Sequence, residues 1–529
     1  MILTAFLLSQ VINWKLELPY HYYIDWTRDP LILLDENLIF GGHRFPPSQD
    51  SVHGFCAMVD TATGAIIWNT ELMEPDWSRI TTLARRGGCF YAAGYGGEQD
   101  TNGEYLPWSL ILAKLNGSGE ILWLKHNPDS IDSIKVTPQA IMFDPRGNIV
   151  SGGTGVSPFK PTGLFLRSWD TLGNTRWDFF YYPPSPWKPP CIIYTLRMDD
   201  EGSVYAVGKC LVSRNLKDPF AVMSPIDTIL HPRSSPLGTG CGYPLVIKVD
   251  SSGRLVWVDT YRWWSKPGEM TVCEWWNGGL FVTGMNSCGD LYTERMDKYG
   301  VSLWFDWTSD YGFFINLDAS CVDSGGNFYV TGEAWGNDTL WIFVSSYTPY
   351  GLKRLLFTPF PGTGRCLASD NLGNLFLGGT IIDTLGSEFV VVKMDTLGNF
   401  KWLYRKDTES PYYGIYGDAC YSLLPDNRGG VFAMGIIYRA DTTPVQYLVH
   451  LADTSSEVPE SAQARPDLTI IPAPSGFYIT GPSGEARIYD SAGRLVMARE
   501  IKGKTLISPL VPGVYFVVAG KERVKVAVR

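Results

Sequence analysis

Asp144-Pro-Arg-Gly147-Asn148-Ile-Val-Ser-Gly152 is the stretch that decides the fold, because the chain repeats it. The phrase recurs from Asp199 to Gly208, Asp323 to Gly332, Asp370 to Gly378 and Asp426 to Gly435, with weaker copies ending at Gly41, Gly94 and Gly284, eight copies in all. A second phrase alternates with it: an apolar run, Asp-x-x-Gly, then Trp four residues after that Gly. Its best copies are Lys248-Val-Asp250-Ser-Ser-Gly253 to Trp257 and Lys393-Met-Asp395-Thr-Leu-Gly398 to Trp402; others end at Trp68, Trp123, Trp177 and Trp304. A copy at Tyr347-Thr-Pro-Tyr-Gly351 has no Trp, and the last, Tyr447 to Asp453, stops before its Gly and Trp. Asp opens a turn through its side-chain oxygen and Gly takes the positive φ that the turn demands. Alternating apolar residues on either side suit strands with one buried face, so each phrase reads as a β-hairpin.

Two hairpins make a four-stranded meander of roughly 45–60 residues, the size of a β-propeller blade. One meander cannot bury both of its faces, so the units must stack around an axis. Eight phrases predict an all-β, eight-bladed propeller, with seven blades as the alternative if the weak first unit is irregular. The unit lacking its Trp strand has a candidate at the other end of the chain, where Val11-Ile-Asn-Trp14-Lys-Leu-Glu-Leu18 reads like the other Trp strands. An N-terminal strand completing the last blade closes the ring without a free edge, making residues 11–453 one domain.

A net charge of −10 argues against nucleic acid or anionic membrane as partners. The 55 glycines and 14% aromatic residues suit a turn-rich secreted or surface protein. Residues 1–10 are an apolar but weak signal-like segment, with no Lys or Arg before Lys15, and no stretch reaches transmembrane length. The ten cysteines form no Cys-x-x-Cys pair. Cys210 and Cys241 flank the longest insertion between two strands and are the candidate disulfide. Cys273, Cys321, Cys366 and Cys420 precede repeat turns and read as small buried residues.

Residues 454–466 read as a polar, Pro-bearing linker, and 467–529 as short alternating strands of a small Ig-like sandwich. Within it stand Ile488-Tyr489-Asp490, Gly493-Arg494, and Pro512-Gly513-Val514-Tyr515-Phe516 ahead of a basic last strand. This tail resembles the C-terminal sorting domain of proteins exported by the bacterial type IX secretion system. The resemblance implies an export address on Tyr489, Asp490, Gly493, Arg494, Gly513, Val514 and Tyr515, the secretion machinery as a partner, and an extracellular or outer-surface location. The body resembles bacterial β-propeller repeat proteins. Asp60-Thr-Ala-Thr63-Gly64-Ala-Ile-Ile-Trp68 also resembles the Trp-docking motif of quinoprotein dehydrogenases, but without an adjacent cysteine pair, so the match is to blade architecture and no cofactor is expected.

The chemistry-bearing motifs are absent: no Gly-x-Ser-x-Gly elbow, His-Glu-x-x-His pair or phosphate loop occurs. The six histidines are scattered; His43 and His53 flank one Pro- and Asp-bearing loop, and no metal is expected. The repeat Trp residues are structural. Outside the repeat, Trp187, Tyr261, Trp263, Trp264, Trp275 and Trp276 are the candidate stacking surfaces for a sugar ring or protein partner. The reading is a secreted or surface-displayed, non-enzymatic propeller that binds protein or polysaccharide. The alternatives are a polysaccharide-active hydrolase or lyase, a quinoprotein-like oxidoreductase, and a surface-layer component without a discrete ligand.

Overall fold

A computed structural model describes residues 10–18, 22–23, 31–34, 37–44, 52–73, 77–97, 109–126, 135–156, 162–182, 191–211, 242–259, 268–286, 289–308, 313–336, 339–383, 386–406, 417–439 and 444–453. In the tail it describes 469–473, 476–480, 484–490, 495–501, 505–507, 513–519 and 522–528. Every regular element among them is a strand. The chain divides into two units, Met1–Ser455 and Ser456–Arg529.

The first unit is a β-propeller built from successive antiparallel meanders. Their first strands are Leu31–Leu34, Trp77–Arg86, Lys135–Phe143, Cys191–Met198, Gly268–Trp276, Phe313–Val322, the second half of Lys353–Ser369, and Ala419–Pro425. The long strand Lys353–Ser369 serves twice: its start pairs with Thr339–Tyr347 and its end with Asn374–Asp383, linking the sixth and seventh meanders. Each first strand packs against the next, and Ala419–Pro425 packs against Leu31–Leu34, so the first strands lie nearest the axis of a ring. Gln10–Leu18 pairs antiparallel with Pro444–Asp453 as the outer strand of the last meander.

The repeated turns explain their own residues. At Asp170 the Oδ1 atom accepts the N–H groups of Leu172 and Asn174, both at 2.9 Å, and Gly173 adopts φ 82°. Seven outer strands then carry a β-bulge one residue before their Trp, at Asn13, Ile67, Leu122, Arg176, Val256, Leu303 and Lys401. The bulge re-aims the side chain that follows it. Five of these indoles donate N–H to a carbonyl in the next meander's turn: Trp14 to Thr61, Trp68 to Gly117, Trp177 to Ser251, Trp257 to Lys298 and Trp304 to Pro349. A basic residue on the third strand makes a parallel clamp, with Lys248 reaching Lys298 O at 3.0 Å and Lys393 reaching Gly429 O at 2.6 Å. Around these clamps the interior is apolar and shared between neighbouring meanders, as where Phe40 and Val59 of the first pack with Trp14 and Phe432 of the last.

Cys210 is bonded to Cys191. The expectation of a Cys210–Cys241 bridge looked at the two ends of an insertion; the pairing register instead sets Cys191 directly across from Cys210, at a Cα separation of 4.0 Å. Cys241 lies outside the described residues. Cys273, Cys366 and Cys420 are buried, Cys321 partly so, and Cys366 and Cys420 face each other across adjacent first strands with sulfurs 3.7 Å apart.

The second unit holds a three-stranded sheet, in the order Thr469–Ala473, Gly476–Thr480, Thr505–Ile507, and a four-stranded one, in the order Leu495–Ile501, Gly484–Asp490, Gly513–Ala519, Glu522–Val528. Ala486, Ile488 and Ile507 are buried. Residues 454–466 and 1–9, and with them the expected linker and signal-like segment, lie outside the described residues.

Candidate functional site

Consecutive connections of a meander alternate between its two ends. The Asp-x-x-Gly turns of the two repeated phrases therefore fall at one end of the ring, and they are short. From the other end the chain leaves for connections of uneven length, as short as 337–338 and as long as 212–241, the latter between Val204–Leu211 and Gly242–Val249. Candidate specificity belongs at that second end, since a rigid scaffold commonly carries function on its longer connections.

Toward that end the first strands share a device that the repeat does not announce. Seven of them bulge, leaving Thr81, Gln139, Tyr194, Thr271, Asp318, Arg365 and Tyr421 without a ladder partner. Gln139, Tyr194, Asp318, Arg365 and Tyr421 stay partly exposed although their strands are packed between neighbours. Each stands five residues before its turn Asp, at Asp144, Asp199, Asp323, Asp370 and Asp426. That spacing was the available signal. The signal is faint because, unlike the Asp and Gly, the residue itself changes from unit to unit.

Asp318, Arg365, Glu333, Asn316 and Tyr421 form the most chemically loaded part of this tier. The Arg365 guanidinium meets Asp318 Oδ2 at 3.2 Å. Asn316, opposite Glu333 in the ladder, donates its amide to Glu333 Oε1. Glu333 is 3% exposed and its Oε2 has no hydrogen-bond partner. Burial pushes its carboxyl above the usual carboxylate range; Asp318 adds to the rise, while Asn316 and Arg365 oppose it. Burial likewise raises the Tyr421 phenol to about 12, with Arg365 pulling against it. A second network ties the fourth and fifth meanders to the sixth: Arg197 grips Glu274 through two bonds of 2.8 and 2.7 Å, and Ser320 donates to Glu274 at 2.9 Å. Chemically the tier offers a cation, ionisable carboxyl groups and phenols around the axis, a set suited to hydroxyl-rich or charged ligands.

The sequence-predicted aromatics fall elsewhere. Trp275 stacks on Tyr205 at 5.1 Å in the core between the fourth and fifth meanders. Trp276 lies under Arg295 at 5.4 Å and fills the space that a Cβ on Gly326 would need. Both are pressed into the short-turn end, because the flat indole is what shields those turns. Trp187, Tyr261, Trp263 and Trp264 lie outside the described residues, as do Gly493 and Arg494 of the tail motif. Tyr489 and Asp490 end the strand Gly484–Asp490, and Gly513, Val514 and Tyr515 begin Gly513–Ala519; Tyr489 pairs with Phe516 and Asp490 with Tyr515. His43 is buried, and burial with the neighbouring Arg79 lowers its imidazole to about 3, so it stays uncharged. Among the described residues no three His, Cys, Asp or Glu side chains gather as a metal site, and no helix is long and apolar enough to cross a membrane.

No protein-family model matches this chain, and no curated protein does. Among solved structures it is similar to the polysaccharide lyase Uly1, at 10% identity and TM-score 0.45 over 84% of this chain and 100% of that one. It is also similar to PorZ, a bacterial surface component of the type IX secretion system of Porphyromonas gingivalis, at 13% identity and TM-score 0.38. That match takes in 97% of this chain and 59% of PorZ. A third is the β-propeller domain of the trilobed protease from Pyrococcus furiosus, at 8% identity and TM-score 0.37 over 71% of this chain and 95% of that one. At these identities and TM-scores none of them carries a function to this chain.

Proposed function

We propose that the chain is a secreted or surface-displayed propeller of eight blades that binds a polysaccharide or protein at the end from which its long connections leave. One observation carries the reading: the turns at the opposite end are short and mostly built on one plan, whereas five of the seven bulged first-strand positions, Gln139, Tyr194, Asp318, Arg365 and Tyr421, keep some exposure and vary in chemistry. Residues 467–529 serve as an Ig-like sorting domain and act through the secretion machinery.

The test is retention of the full chain on a panel of immobilised acidic and neutral polysaccharides, beside Arg365→Ala and Tyr421→Phe. Retention that weakens roughly tenfold in Arg365→Ala at unchanged thermal stability supports the site. Equal retention of all three proteins rejects it. Accumulation of a variant lacking residues 467–529 outside the cells, at the level of the full chain, would reject the sorting role.

One observation favours a second reading, a polysaccharide-active enzyme. Glu333 is a buried carboxyl held toward its protonated form, and Asp318 beside it is ion-paired; a carboxylic acid near a carboxylate is the equipment of glycoside chemistry. Release of new chain ends from a bound polysaccharide, abolished in Glu333→Gln, selects this reading over simple binding.

A further inference from the structure

One boundary in the ring departs from the plan. In the sixth meander the third strand carries Ser346 where four counterparts carry Lys114, Lys248, Arg295 and Lys393; Ser168 holds the same place in the third meander, which keeps its Trp177. The position four after Gly351 is Leu355 instead of Trp. The bulge is missing too: Tyr347 pairs with Lys353 and Ser346 with Arg354, without the register shift seen beside the seven Trp residues.

A cavity of about 210 Å³ lies at this boundary, lined among others by Asn327, Tyr329, Ser346, Lys353, Thr396 and Leu397. The equivalents of these groups elsewhere surround an indole. The second-strand aromatic meets its own meander's Trp at 6.0 Å for Tyr205 and Trp257, 6.0 Å for Phe281 and Trp304, and 6.2 Å for Phe376 and Trp402. The carbonyl just after the first residue of the next turn accepts the indole N–H, as Ser251 O does from Trp177 and Pro349 O from Trp304. Here the corresponding ring is Tyr329 and the corresponding carbonyl is Thr396 O, which the Tyr329 hydroxyl approaches at only 3.4 Å. Leu352 and Leu397 are 72% and 58% exposed beside the opening.

We propose that this cavity is a binding site for an indole ring, presented as the tryptophan side chain of a peptide partner. The ring stacks beside Tyr329 and its N–H donates to Thr396 O, reproducing with a separate molecule the contact that the chain makes with itself at the other boundaries. A β-branched or aliphatic side chain lacks the N–H donor and the flat face, so the site discriminates against both. It lies at the short-turn end and is independent of the binding proposed at the other end.

The probe is N-acetyl-5-fluorotryptophanamide, titrated into the full chain and followed by fluorine NMR. Saturable line broadening is expected, together with a loss of affinity of roughly tenfold or more in Ser346→Lys, which places in the cavity the cation that four other meanders carry at this register. Leu397→Arg changes only the exposed lip, keeps the test alive if Ser346→Lys does not fold, and is expected to weaken binding as well. Absence of saturable broadening overturns the proposal. So does affinity unchanged in both variants, or displacement of the probe by methyl glucoside at equal concentration, which makes this a sugar site.

Discussion

The indole of Trp177 occupies the place where a side chain on Gly253, in the next sheet, would have to begin: a Cβ there would lie 2.8 Å from the ring. The two residues are 76 positions apart, yet each fixes the other. Gly253 at φ 83° both makes its turn and clears the seat, and the indole N–H closes the contact on Ser251 O.

Gly253→Ala therefore carries two penalties and Gly278→Ala only one. Gly278 also has positive φ, 74°, but nothing lies within 4 Å of its missing Cβ. The Gly278 variant is expected to cost about 1 kcal/mol, the ordinary strain of a left-handed residue, and the Gly253 variant about 1–3 kcal/mol more from overpacking. Denaturant unfolding of the two variants reads the difference; equal losses would show that the indole yields freely.

Peptide mapping without reductant is expected to recover Cys191 linked to Cys210. Cys191→Ser should then cost about 3 kcal/mol, given a loop of 19 residues. A Cys210–Cys241 peptide would overturn the assignment.

Acid should loosen the turns before it loosens the core. Burial pushes the Asp250 carboxyl up, but the Ser252 hydroxyl, the N–H groups of Arg254 and Ser252, and the Arg254 guanidinium outweigh it and hold the group at about 2. Asp60, Asp170 and Asp395 are lowered in the same manner. A depressed carboxyl contributes stability that is fully present above its unfolded pKa of about 3.9 and is lost as pH falls through the folded value. The melting temperature is expected to fall between roughly pH 4 and pH 2, and Asp250→Asn to flatten that limb. A fall of the same size in the variant would remove Asp250 from the account.

Glu333 runs in the opposite sense. Its folded pKa is raised, so the native state holds its proton longer and stability declines as pH rises from the unfolded value, about 4.3, through the folded one. Glu333→Gln keeps an acceptor for the Asn316 amide and carries no charge. The variant should match the parent near pH 4 and melt about 1–2 °C higher at pH 8. A lower melting temperature at pH 8 would mean that the ionised carboxylate is stabilised by Arg365 more than burial penalises it.

What the sequence made legible is what local chemistry determines. Asp170 and Gly173 announce their turn because the turn is satisfied within five residues, and Trp177 announces its strand by a fixed offset. The bulge tier stayed hidden because a bulge is a property of pairing between strands, and Gln139, Tyr194, Asp318, Arg365 and Tyr421 share a place without sharing a chemistry. The disulfide is hidden for a related reason: that Cys191 stands across from Cys210 is set by the register of two strands, which spacing along the chain does not give. Trp275 and Trp276 looked like exposed platforms because composition cannot tell a ring that waits for a ligand from one that shields a turn.

The pairing of Gln10–Leu18 with Pro444–Asp453 has a consequence for the order of assembly. Gln10–Leu18 is made before the other strands of the ring, yet it finds its ladder partner only when the last of them has been made, some 430 residues later. Until the two strands pair, Pro444–Asp453 has one bare edge, and Trp14 lacks the ring of Phe432, 6.0 Å away in the finished ring. Local hairpins can form as they appear, but the circle can lock only in one late, long-range step. Its rate, more than the stability of any one sheet, decides how long the nascent chain stays open to aggregation, proteolysis or capture by another copy of itself.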